Sequence, residues 1–329
     1  MTAPNASGAV PSRRVGIDVG GTKAQAVVID RDGEVVDSAQ RPTPRGDRSL
    51  EALIDVLIEL ADDVGHEGSV GVGVPGLVTR TGVLRAAPNL DGVADFPIAE
   101  LLSQRFGSDV HVDNDATCAT VAEWLLGSGR GTDDMMLVTL GTGIGGGVVA
   151  NGALQRGANG FAGEFGHMVV DPSGPQCPCG RRGCWERYAS GSGLAMLARE
   201  AATGHRLRDV VRHAGGDPQA VRGEHVQAAA RDGDPEALAV IDDFARWVAL
   251  GLANLTNVLD PELFVLGGGL AASPDLYLGP IRHWFGELLY QPHLRPMPAI
   301  EFARWGPLAG AIGAALLPEL ASSPGHDSP

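Results

Sequence analysis

The sequence is poor in basic residues and in cysteine, and it contains no long hydrophobic run. Its 25 lysines and arginines are outnumbered by 40 acidic residues, which gives a formal net charge of −15. Such a chain repels a phosphate backbone unless it carries a strong basic patch, and none is visible, so nucleic-acid binding is not expected. No apolar stretch approaches the length of a membrane span, so no membrane partner is expected.

The two ends of the chain are also poor in apolar residues. Residues 1–12 lack the apolar core of a signal peptide, and residues 322–329 are equally polar, so both are predicted to be disordered tails. Three of the four cysteines are grouped like metal ligands rather than arranged for disulfides. Together these features predict a cytoplasmic protein. The 329 residues are enough for two domains.

The grouped cysteines lie in a segment that burial cannot hold together, because residues 170–184 contain so few apolar side chains. We call residues 167–184 the metal clip. Its four candidate ligands are His167, Cys177, Cys179 and Cys184. This is the ligand set of a tetrahedral structural zinc site. A disulfide with a spare thiol, or three unrelated cysteines, is the less favoured alternative. Cys118 lies in a helical pattern and is predicted to be a small core residue.

Four protein ligands leave no open position for water, so the predicted zinc is structural rather than catalytic. A histidine that binds zinc through one ring nitrogen keeps the other for a hydrogen bond. We therefore predict that the metal clip places His167, Glu164 and Glu186 around a polyhydroxylated ligand. The alternative, that the two glutamates only support the metal site or are solvated, stays open at this point.

Two segments share the pattern strand, glycine-rich turn with threonine, strand, at residues 13–30 and 135–151. Glycines allow backbone N–H groups to approach an anion closely, so each turn is predicted to bind phosphate. Asp18, just before the first turn, would suit a metal-associated water. An ordinary β-hairpin is the alternative for the first turn. The turn residues are Gly20, Gly21, Thr22 and Lys23 in the first segment and Gly141, Thr142 and Gly143 in the second.

The second turn also fits the glycine pattern of dinucleotide-binding proteins. That fingerprint requires a helix to follow, whereas Asn151-Gly152 predicts a hairpin. The sequence contains no P-loop pattern either. Dinucleotide binding and a P-loop fold are therefore excluded.

Polar residues also separate a predicted strand at residues 110–112 from a predicted helix that follows. An N-cap explains one aspartate at a helix start, but not Asp113, Asn114 and Asp115 together. Because the helix dipole favours an ionised carboxylate at Asp115, we regard Asn114 and Asp115 as candidates for chemistry.

Further along the chain, helices are predicted at residues 50–64, 235–259 and 306–317. A strand within residues 262–270 leads into three glycines, against which a nucleotide can lie, although a tight strand–helix turn explains them too. These glycines are Gly267, Gly268 and Gly269.

Taken together, the motifs resemble the ROK family of sugar kinases, and within it the bacterial (actinobacterial-type) ATP-dependent glucokinases. The likeness extends from about Val15 to Leu317. Each motif is weak alone, whereas all of them in this order and spacing are highly specific. They are DVGGTK at 18–23, Asn114-Asp115, LGTGIGGG at 140–147, EFGH at 164–167 and CPCGRRGCWE at 177–186.

The resemblance implies an α/β fold of the actin-like, ribonuclease H-like type, with two domains and an active site in the cleft between them. The small domain is then expected to comprise residues 13–116 and a C-terminal helix at about 306–321. The large domain is expected to comprise residues 117–305 and to carry the metal clip. Relatives form dimers or tetramers, so a homo-oligomer is implied.

The resemblance also implies ATP-dependent phosphorylation of glucose at its 6-hydroxyl, with Mg²⁺ as cofactor beside the structural Zn²⁺. Asp115 is implied as the general base that accepts the hydroxyl proton. The implied sugar-binding residues are Asn89, Asn114, Asp115, Glu164, His167 and Glu186. The implied nucleotide-binding residues are Asp18, Gly20, Gly21, Thr22, Lys23, Gly141, Thr142, Gly143, Gly267, Gly268 and Gly269.

Several other functions are alternatives to an ATP-dependent glucokinase. Kinases of N-acetylglucosamine and N-acetylmannosamine share the metal clip and Asn-Asp, so local sequence does not separate them from glucokinases. Polyphosphate glucokinases form a branch that lacks the cysteine cluster, which favours ATP as donor. Sugar-responsive repressors carry an N-terminal helix-turn-helix, whereas about fourteen residues precede the first strand here. A non-catalytic sugar sensor is disfavoured because Asp115 is present.

Overall fold

The computed structural model describes residues 13–46, 49–87, 93–202 and 206–322. Residues 1–12 and 323–329 of the predicted tails lie outside these ranges, as does Asn89. The chain divides into two compact units. Unit 1 comprises Met1–Ala122, Arg156–Phe161 and Leu308–Pro329, and unit 2 comprises Glu123–Gln155 and Ala162–Pro307.

Unit 1 is built on a five-stranded sheet in the order β3-β2-β1-β4-β7. β1, β2 and β3 form an antiparallel meander, whereas β1, β4 and β7 run parallel. The strand–turn–strand predicted at residues 13–30 is confirmed as β1 and β2. The bounds are β1 Arg14–Val19, β2 Lys23–Ile29, β3 Val35–Pro42, β4 Val70–Val74 and β7 Val110–Asn114, with a separate pair β5 Leu77–Val78 and β6 Leu84–Ala86.

The helices that begin in unit 1 are α1 Ser49–Asp63, α2 Ile98–Phe106, α3 Asp115–Leu126 and α10 Ala309–Ser322. The helix predicted at residues 50–64 is confirmed as α1, whose apolar spacing buries Leu53, Leu57 and Leu60. The helix predicted at 306–317 begins later, at Ala309, because residues 306–308 form a 3₁₀ turn.

Helix α10 packs directly on the backbone of the sheet. A Cβ atom on Gly16 of β1 would lie 2.0 Å from the carbonyl oxygen of Ala311, and one on Gly71 of β4 would lie 1.7 Å from that of Ala314. Side chains at these glycines would therefore push the helix away from the sheet. The small residues of α10 and the glycines of β1 and β4 together allow the helix to pack closely on the sheet.

Unit 2 repeats the plan with a sheet in the order β10-β9-β8-β11-β12. β8, β9 and β10 are antiparallel, whereas β8, β11 and β12 run parallel. The predicted hairpin is confirmed, because Asn151 and Gly152 adopt the positive φ angles (52° and 67°) that its tight turn requires. The bounds are β8 Met135–Leu140, β9 Ile144–Ala150, β10 Ala153–Leu154, β11 Leu263–Gly267 and β12 Ala299–Phe302.

The helices of unit 2 are α4 Glu186–Ala189, α5 Gly191–Ala201, α6 Arg208–His213, α7 Gly223–Arg231, α8 Pro235–Leu259 and α9 Pro274–Leu288. The predicted bounds of α8 are confirmed. It begins because the Asp234 carboxylate accepts the N–H of Ala237 at 2.7 Å, with proline at the first position. Among the described residues, no helix combines the length and the apolar character needed to cross a membrane.

Candidate functional site

The first group of candidate residues lies at one edge of the unit 1 sheet. β1, β4 and β7 run parallel, so their carboxyl ends meet at that edge, where ligands of α/β sheets bind. Asp18 of β1 is in register with Gly73 of β4, which is in register with Asp113 of β7. Asn114 ends β7 and Asp115 begins α3, so the sheet brings Asp18 and Asp115 close together.

The carboxylate of Asp18 is buried beside a second carboxylate. Its Oδ1 oxygen is buried and makes no hydrogen bond. Burial and the negative charge of Asp115 raise the pKa of Asp18 to about 7, although Lys23 acts in the opposite direction. A buried carboxylate beside a second carboxylate is stabilised by a cation, so this edge of the sheet has the chemistry to attract a hard metal ion.

Asn114 supports the start of α3. Its Oδ1 oxygen accepts the backbone N–H groups of Ala116 at 2.9 Å and Thr117 at 3.1 Å, and its Nδ2 donates to the carbonyl of Gly76 at 3.0 Å. Both lone pairs of Oδ1 are thus engaged. Any hydrogen bond from this side chain to a sugar would come from the second N–H of the amide.

Asp115 is the first residue of α3 and is partly exposed. Its Oδ1 oxygen accepts the N–H of Ala116 at 2.8 Å. The helix N-terminus favours the ionised carboxylate. A partly exposed, ionised carboxylate held by the backbone is suited to accept a proton from a hydroxyl group.

The first glycine turn, residues 20–22, joins β1 and β2 at the same edge. Gly20 donates its N–H to the carbonyl of Lys23 at 2.9 Å, and the Thr43 hydroxyl donates to the carbonyl of Gly20 at 2.7 Å. Gly21, Thr22 and Lys23 are exposed. The turn is therefore fixed from behind while its outer face is open to an anion.

The second glycine turn, residues 141–143, joins β8 and β9 in unit 2. Gly141 donates its N–H to the carbonyl of Gly143 at 3.0 Å and accepts the N–H of Gly191, the first residue of α5, at 2.7 Å. Gly267 is in register with Thr139. A Cβ on Gly268 (φ 82°) would lie 2.6 Å from the backbone of Leu140. Unit 2 thus brings the second glycine turn and Gly267–Gly269 together at one sheet edge.

The four predicted metal ligands converge in unit 2. One ligand atom from each of His167, Cys177, Cys179 and Cys184 lies within 4.8 Å of the others. The Cys179 and Cys184 sulfurs are 3.6 Å apart, and His167 Nδ1 lies 3.9 Å from the Cys177 sulfur. Tetrahedral zinc, with bonds of about 2.0–2.3 Å, requires separations of this size. The cluster can therefore hold a metal ion.

The backbone of the metal clip is held by few regular elements. Isolated bridges pair Val169 with Cys184 and Gln176 with Arg182. Gly183 has a φ of 65°, and a Cβ on it would lie 1.5 Å from the carbonyl oxygen of Asp171, so only glycine fits there. The sparse secondary structure agrees with the sequence-based expectation that burial alone does not order this segment.

The thiols of the clip differ in their surroundings. Burial raises the pKa of Cys177 and Cys184, whereas the backbone N–H of Arg181 lowers the pKa of the exposed Cys179. Metal binding requires thiolates, so loading the clip releases protons.

Glu164 and Glu186 flank the histidine. His167 Nε2 lies 3.9 Å from Glu164 Oε2, and His167 Nδ1 lies 3.7 Å from Glu186 Oε1, which also accepts from the Cys177 thiol at 3.1 Å. Burial raises the pKa of Glu164, with His167 opposing this effect and Glu186 adding to it. Nδ1 of His167 thus faces Cys177, and Nε2 faces Glu164.

Glu186 also links the clip to the second glycine turn. A Cβ on Gly143 would lie 2.8 Å from Glu186 Oε2. Unit 2 thus brings together Glu164, His167, Glu186 and the second glycine turn. Unit 1 brings together Asp18, the first glycine turn, Asn114 and Asp115. Asn89 lies outside the described residues.

Comparison with known proteins gives a consistent result. The ROK family profile matches residues 14–320. A glucokinase from Streptomyces coelicolor is 39% identical over 307 residues, covering 92% of this chain and 96% of the relative. An N-acetyl-D-glucosamine kinase from Pectobacterium atrosepticum is 37% identical over 316 residues, covering 92% and 97%. The structure of a ROK family glucokinase from Streptomyces griseus, in complex with glucose and AMPPNP, matches with a TM-score of 0.83 at 37% identity, covering 93% and 99%.

The chain belongs to the ROK family. The family resemblance inferred from the motifs is therefore confirmed, and so is the actin-like α/β fold class that it implies. The repeated sheet plan of the two units agrees with that class.

Two glycines that shape this ROK site were not predicted from the sequence. A Cβ on Gly73 would lie 3.4 Å from Asp18 Oδ1 and 3.5 Å from the Asp115 Cα, and one on Gly310 would lie 2.6 Å from Asp18 Oδ1. Gly73 sits inside a strand, where glycine signals close approach of another group, so the alternation of valine and glycine in β4 was a usable sign. Gly310 has no comparable local signal.

Proposed function

We propose that this ROK protein transfers the γ-phosphoryl group of ATP to the 6-hydroxyl of glucose and releases glucose 6-phosphate. The observation that carries the proposal is the similarity to glucokinases over 92% of the chain. The solved relative holds glucose together with AMPPNP, an ATP analogue. Phosphoryl transfer depends mostly on positioning and charge neutralisation, and both glycine turns and the carboxylates described above suit those tasks.

Asp115 is the general base in this proposal. Its carboxylate accepts the proton of the 6-hydroxyl as the oxygen attacks the γ-phosphorus, and the bond from phosphorus to the leaving oxygen of ADP breaks. A positioned base of this kind contributes about 10²–10⁴ in rate. The dipole of α3 favours the ionised form of the carboxylate before the transfer.

Glucose recognition is assigned to the polar side chains of the candidate site. Glu164, Glu186 and the Nε2 side of His167 bind hydroxyls, with the free amide N–H of Asn114 and with Asn89 as further contributors. A sugar that lacks one of these hydroxyls leaves a partly buried polar group unpaired, which is how such a site discriminates.

The two glycine turns are assigned to the phosphates of ATP, with Lys23 beside the first, and Gly267–Gly269 is assigned to the nucleoside side. The buried, unpartnered oxygen of Asp18 fits an aqua ion of Mg²⁺. When bound, Mg²⁺ supplies charge neutralisation of the phosphate oxygens.

We assign the metal clip to structural zinc. Three thiolates and one imidazole are the donor set that zinc prefers, and together they leave no position for a reacting water. In this assignment His167 binds the metal through Nδ1 and keeps Nε2 for a sugar hydroxyl. The clip thus orients a sugar-binding residue without taking part in the transfer.

An N-acetylated hexosamine is the second candidate substrate. It is favoured by the N-acetyl-D-glucosamine kinase that is 37% identical over 92% of this chain. The phosphoryl-transfer residues are the same in both cases, so the two candidates differ only in which sugar fits.

The deciding experiment compares sugars side by side. Purified protein with ATP and Mg²⁺ is given glucose, mannose, N-acetylglucosamine or N-acetylmannosamine, and kcat/KM is measured for each. We expect glucose to dominate. A dominant N-acetylated sugar would move the assignment to the second candidate, and turnover of none would contradict kinase function. Replacing ATP with polyphosphate tests the choice of donor.

The proposal also includes features that the composition of the sequence or the family resemblance implies. These are a cytoplasmic location, a dimeric or tetrameric assembly, and domains at residues 13–116 with 306–321 and at 117–305, with tails at 1–12 and 322–329. Light scattering of the purified protein would test the assembly, and limited proteolysis would test the domain bounds.

A further inference from the structure

A charged pair stands beside the proposed base but has no role in the mechanism above. Arg156 Nε donates to Asp113 Oδ2 at 2.7 Å, and the two side chains are only 17% and 8% exposed. Removing two charges from water is costly, and an ion pair recovers the cost only with good geometry and further hydrogen bonds. Asp113 directly precedes Asn114 and Asp115, so a constraint on Asp113 also acts on the position of the proposed base.

Asp113 also binds the backbone of the next residue, Asn114. Its second oxygen, Oδ1, accepts the backbone N–H of Asn114 at 2.9 Å. The Asn114 side chain then binds the carbonyl of Gly76 and the N–H of Ala116. A continuous series of hydrogen bonds therefore runs from the guanidinium of Arg156 to the first turn of α3, where Asp115 lies.

Arg156 is itself anchored to unit 1. Residues 156–161 belong to that unit, although the chain on both sides of them belongs to unit 2. Gly160 has a φ of 95°, and a Cβ on it would lie 2.5 Å from the carbonyl oxygen of Val78 and 2.8 Å from the N of Arg80. The short segment is thus packed against the β5 region at one end and bound to Asp113 at the other.

Arg156 also supplies positive charge among several carboxylates. The buried thiol of Cys118 experiences the charges of Asp113, Asp18 and Asp115, which raise its pKa after the larger effect of burial, and that of Arg156, which lowers it. Without the guanidinium, the buried Asp113 carboxylate would lose its 2.7 Å hydrogen bond from Arg156 next to the base.

We propose that Arg156 is a positioning residue for phosphoryl transfer: through Asp113 it fixes the carboxyl end of β7, from which Asn114 and Asp115 are presented. This inference rests on the proposed role of Asp115 as general base. Arg156 acts on the base and not on the sugar. Its loss is therefore expected to lower kcat much more than it raises KM for glucose.

The test uses two substitutions and one matched control. Arg156→Gln removes the charge, and Arg156→Lys keeps it. Both replacements are smaller than arginine, and Arg156 borders a cavity of about 220 Å³, so neither side chain is expected to clash. Arg14→Gln is the control: Arg14 is 8% exposed and pairs with Glu319 at 3.1 Å in the same unit, but it lies outside the proposed site.

We expect Arg156→Gln to lower kcat by about 10- to 100-fold, the cost of misplacing a catalytic group by roughly 1 Å, with KM for glucose within about threefold. Arg156→Lys should recover most of that loss. Arg14→Gln should lower the melting temperature by a similar amount to Arg156→Gln while keeping kcat within about twofold. If Arg156→Gln does not fold, the kcat values of Arg156→Lys and Asp113→Asn are compared instead. The positioning role then predicts that Asp113→Asn is the slower of the two.

The outcomes separate the inference from the proposed function. Wild-type protein that phosphorylates no sugar would overturn both. Active wild-type protein with a normal kcat in Arg156→Gln would overturn the positioning role alone. An equal loss of kcat in Arg156→Gln and Arg14→Gln would overturn it as well, because the effect would then follow stability and not the pair.

Discussion

The two units share one sheet plan but use it differently. In each, a three-stranded antiparallel meander continues into two parallel strands, and a glycine turn joins the first two strands of the meander. In unit 1 carboxylates lie one residue before the carboxyl ends of β1 and β7, at Asp18 and Asp113, with Asp115 following. In unit 2 glycines lie at the corresponding edge, because Gly141 follows β8 and Gly267 ends β11, and the charged groups come from the metal clip and its neighbours.

This difference has a physical reason. A carboxylate at a strand end needs only the sheet register to place it, and Asp18, Gly73 and Asp113 share one row. The segment between Glu164 and Glu186 has little regular structure, so it needs cross-links of another kind. A similar scaffold therefore supports one group of candidate residues positioned by strand register in unit 1 and, in unit 2, another for which a metal ion is proposed.

The largest expected effect comes from removing the base of unit 1. Asp115→Asn keeps the size of the side chain but cannot accept the hydroxyl proton, so kcat should fall by about 10²–10⁴. Glucose binding, measured by calorimetry, should change little. Near-normal turnover in this variant would refute the assignment of the base.

The equivalent test in unit 2 removes a clip ligand. Cys179→Ser should lose zinc and raise KM for glucose by about 10- to 100-fold, because His167 and Glu186 lose their support. Metal content is measured by mass spectrometry and KM by a coupled assay. Cys118→Ala, which removes a thiol outside the clip, should keep its metal; a zinc-free wild-type protein would contradict the zinc assignment.

Asp18 offers a test of stability in unit 1. Its pKa rises from 3.8 to about 7 on folding, so the folded chain favours the protonated form. The stability this contributes is fully present below pH 3.8 and is lost as the pH rises through 7.

Asp18→Asn resembles the protonated form at every pH. In magnesium-free buffer it should match wild type near pH 4 and be more stable by at most about 4 kcal/mol at pH 8, since each pKa unit is worth about 1.4 kcal/mol. Denaturant titrations at both pH values measure this. Asp37→Asn, an exposed change in β3, should show no such gain, and a pH-independent effect of Asp18→Asn would refute the argument.

The smallest expected effects come from the two glycine turns. Gly143→Ala places a Cβ 2.8 Å from Glu186 Oε2, a side chain that can move, whereas Gly20→Ala places one 2.9 Å from the backbone carbonyl of Lys23. We expect both variants to raise KM for ATP by about three- to tenfold, as roughly 1 kcal/mol of lost contact gives, and Gly143→Ala to raise KM for glucose as well, because its Cβ displaces Glu186.

Gly279→Ala is the control for both glycine variants, because a Cβ there meets no atom within 4 Å. It should leave both KM values unchanged. An equal effect of Gly143→Ala and Gly20→Ala on the KM for glucose would mean that Gly143 does not influence sugar binding through Glu186.

The sequence alone determined the local elements and the family. Periodicity and turn residues placed α1, α8 and both strand–turn–strand segments, because hydrophobic spacing and glycine or proline act over a few residues. The grouping of His167 with the three cysteines was also visible, because the ligands of the metal clip lie close together along the chain.

Only the tertiary structure decided which distant residues meet. The contact of Gly310 with Asp18, and that of Arg156 with Asp113, join residues 292 and 43 positions apart, and a single sequence contains no signal for such pairs. It also decided that Asn114 uses its oxygen to cap α3 rather than leaving it free for a ligand. Local patterns reflect the conformational preferences of neighbouring residues, whereas these contacts depend on how the strands of unit 1 pack and which ends they bring together.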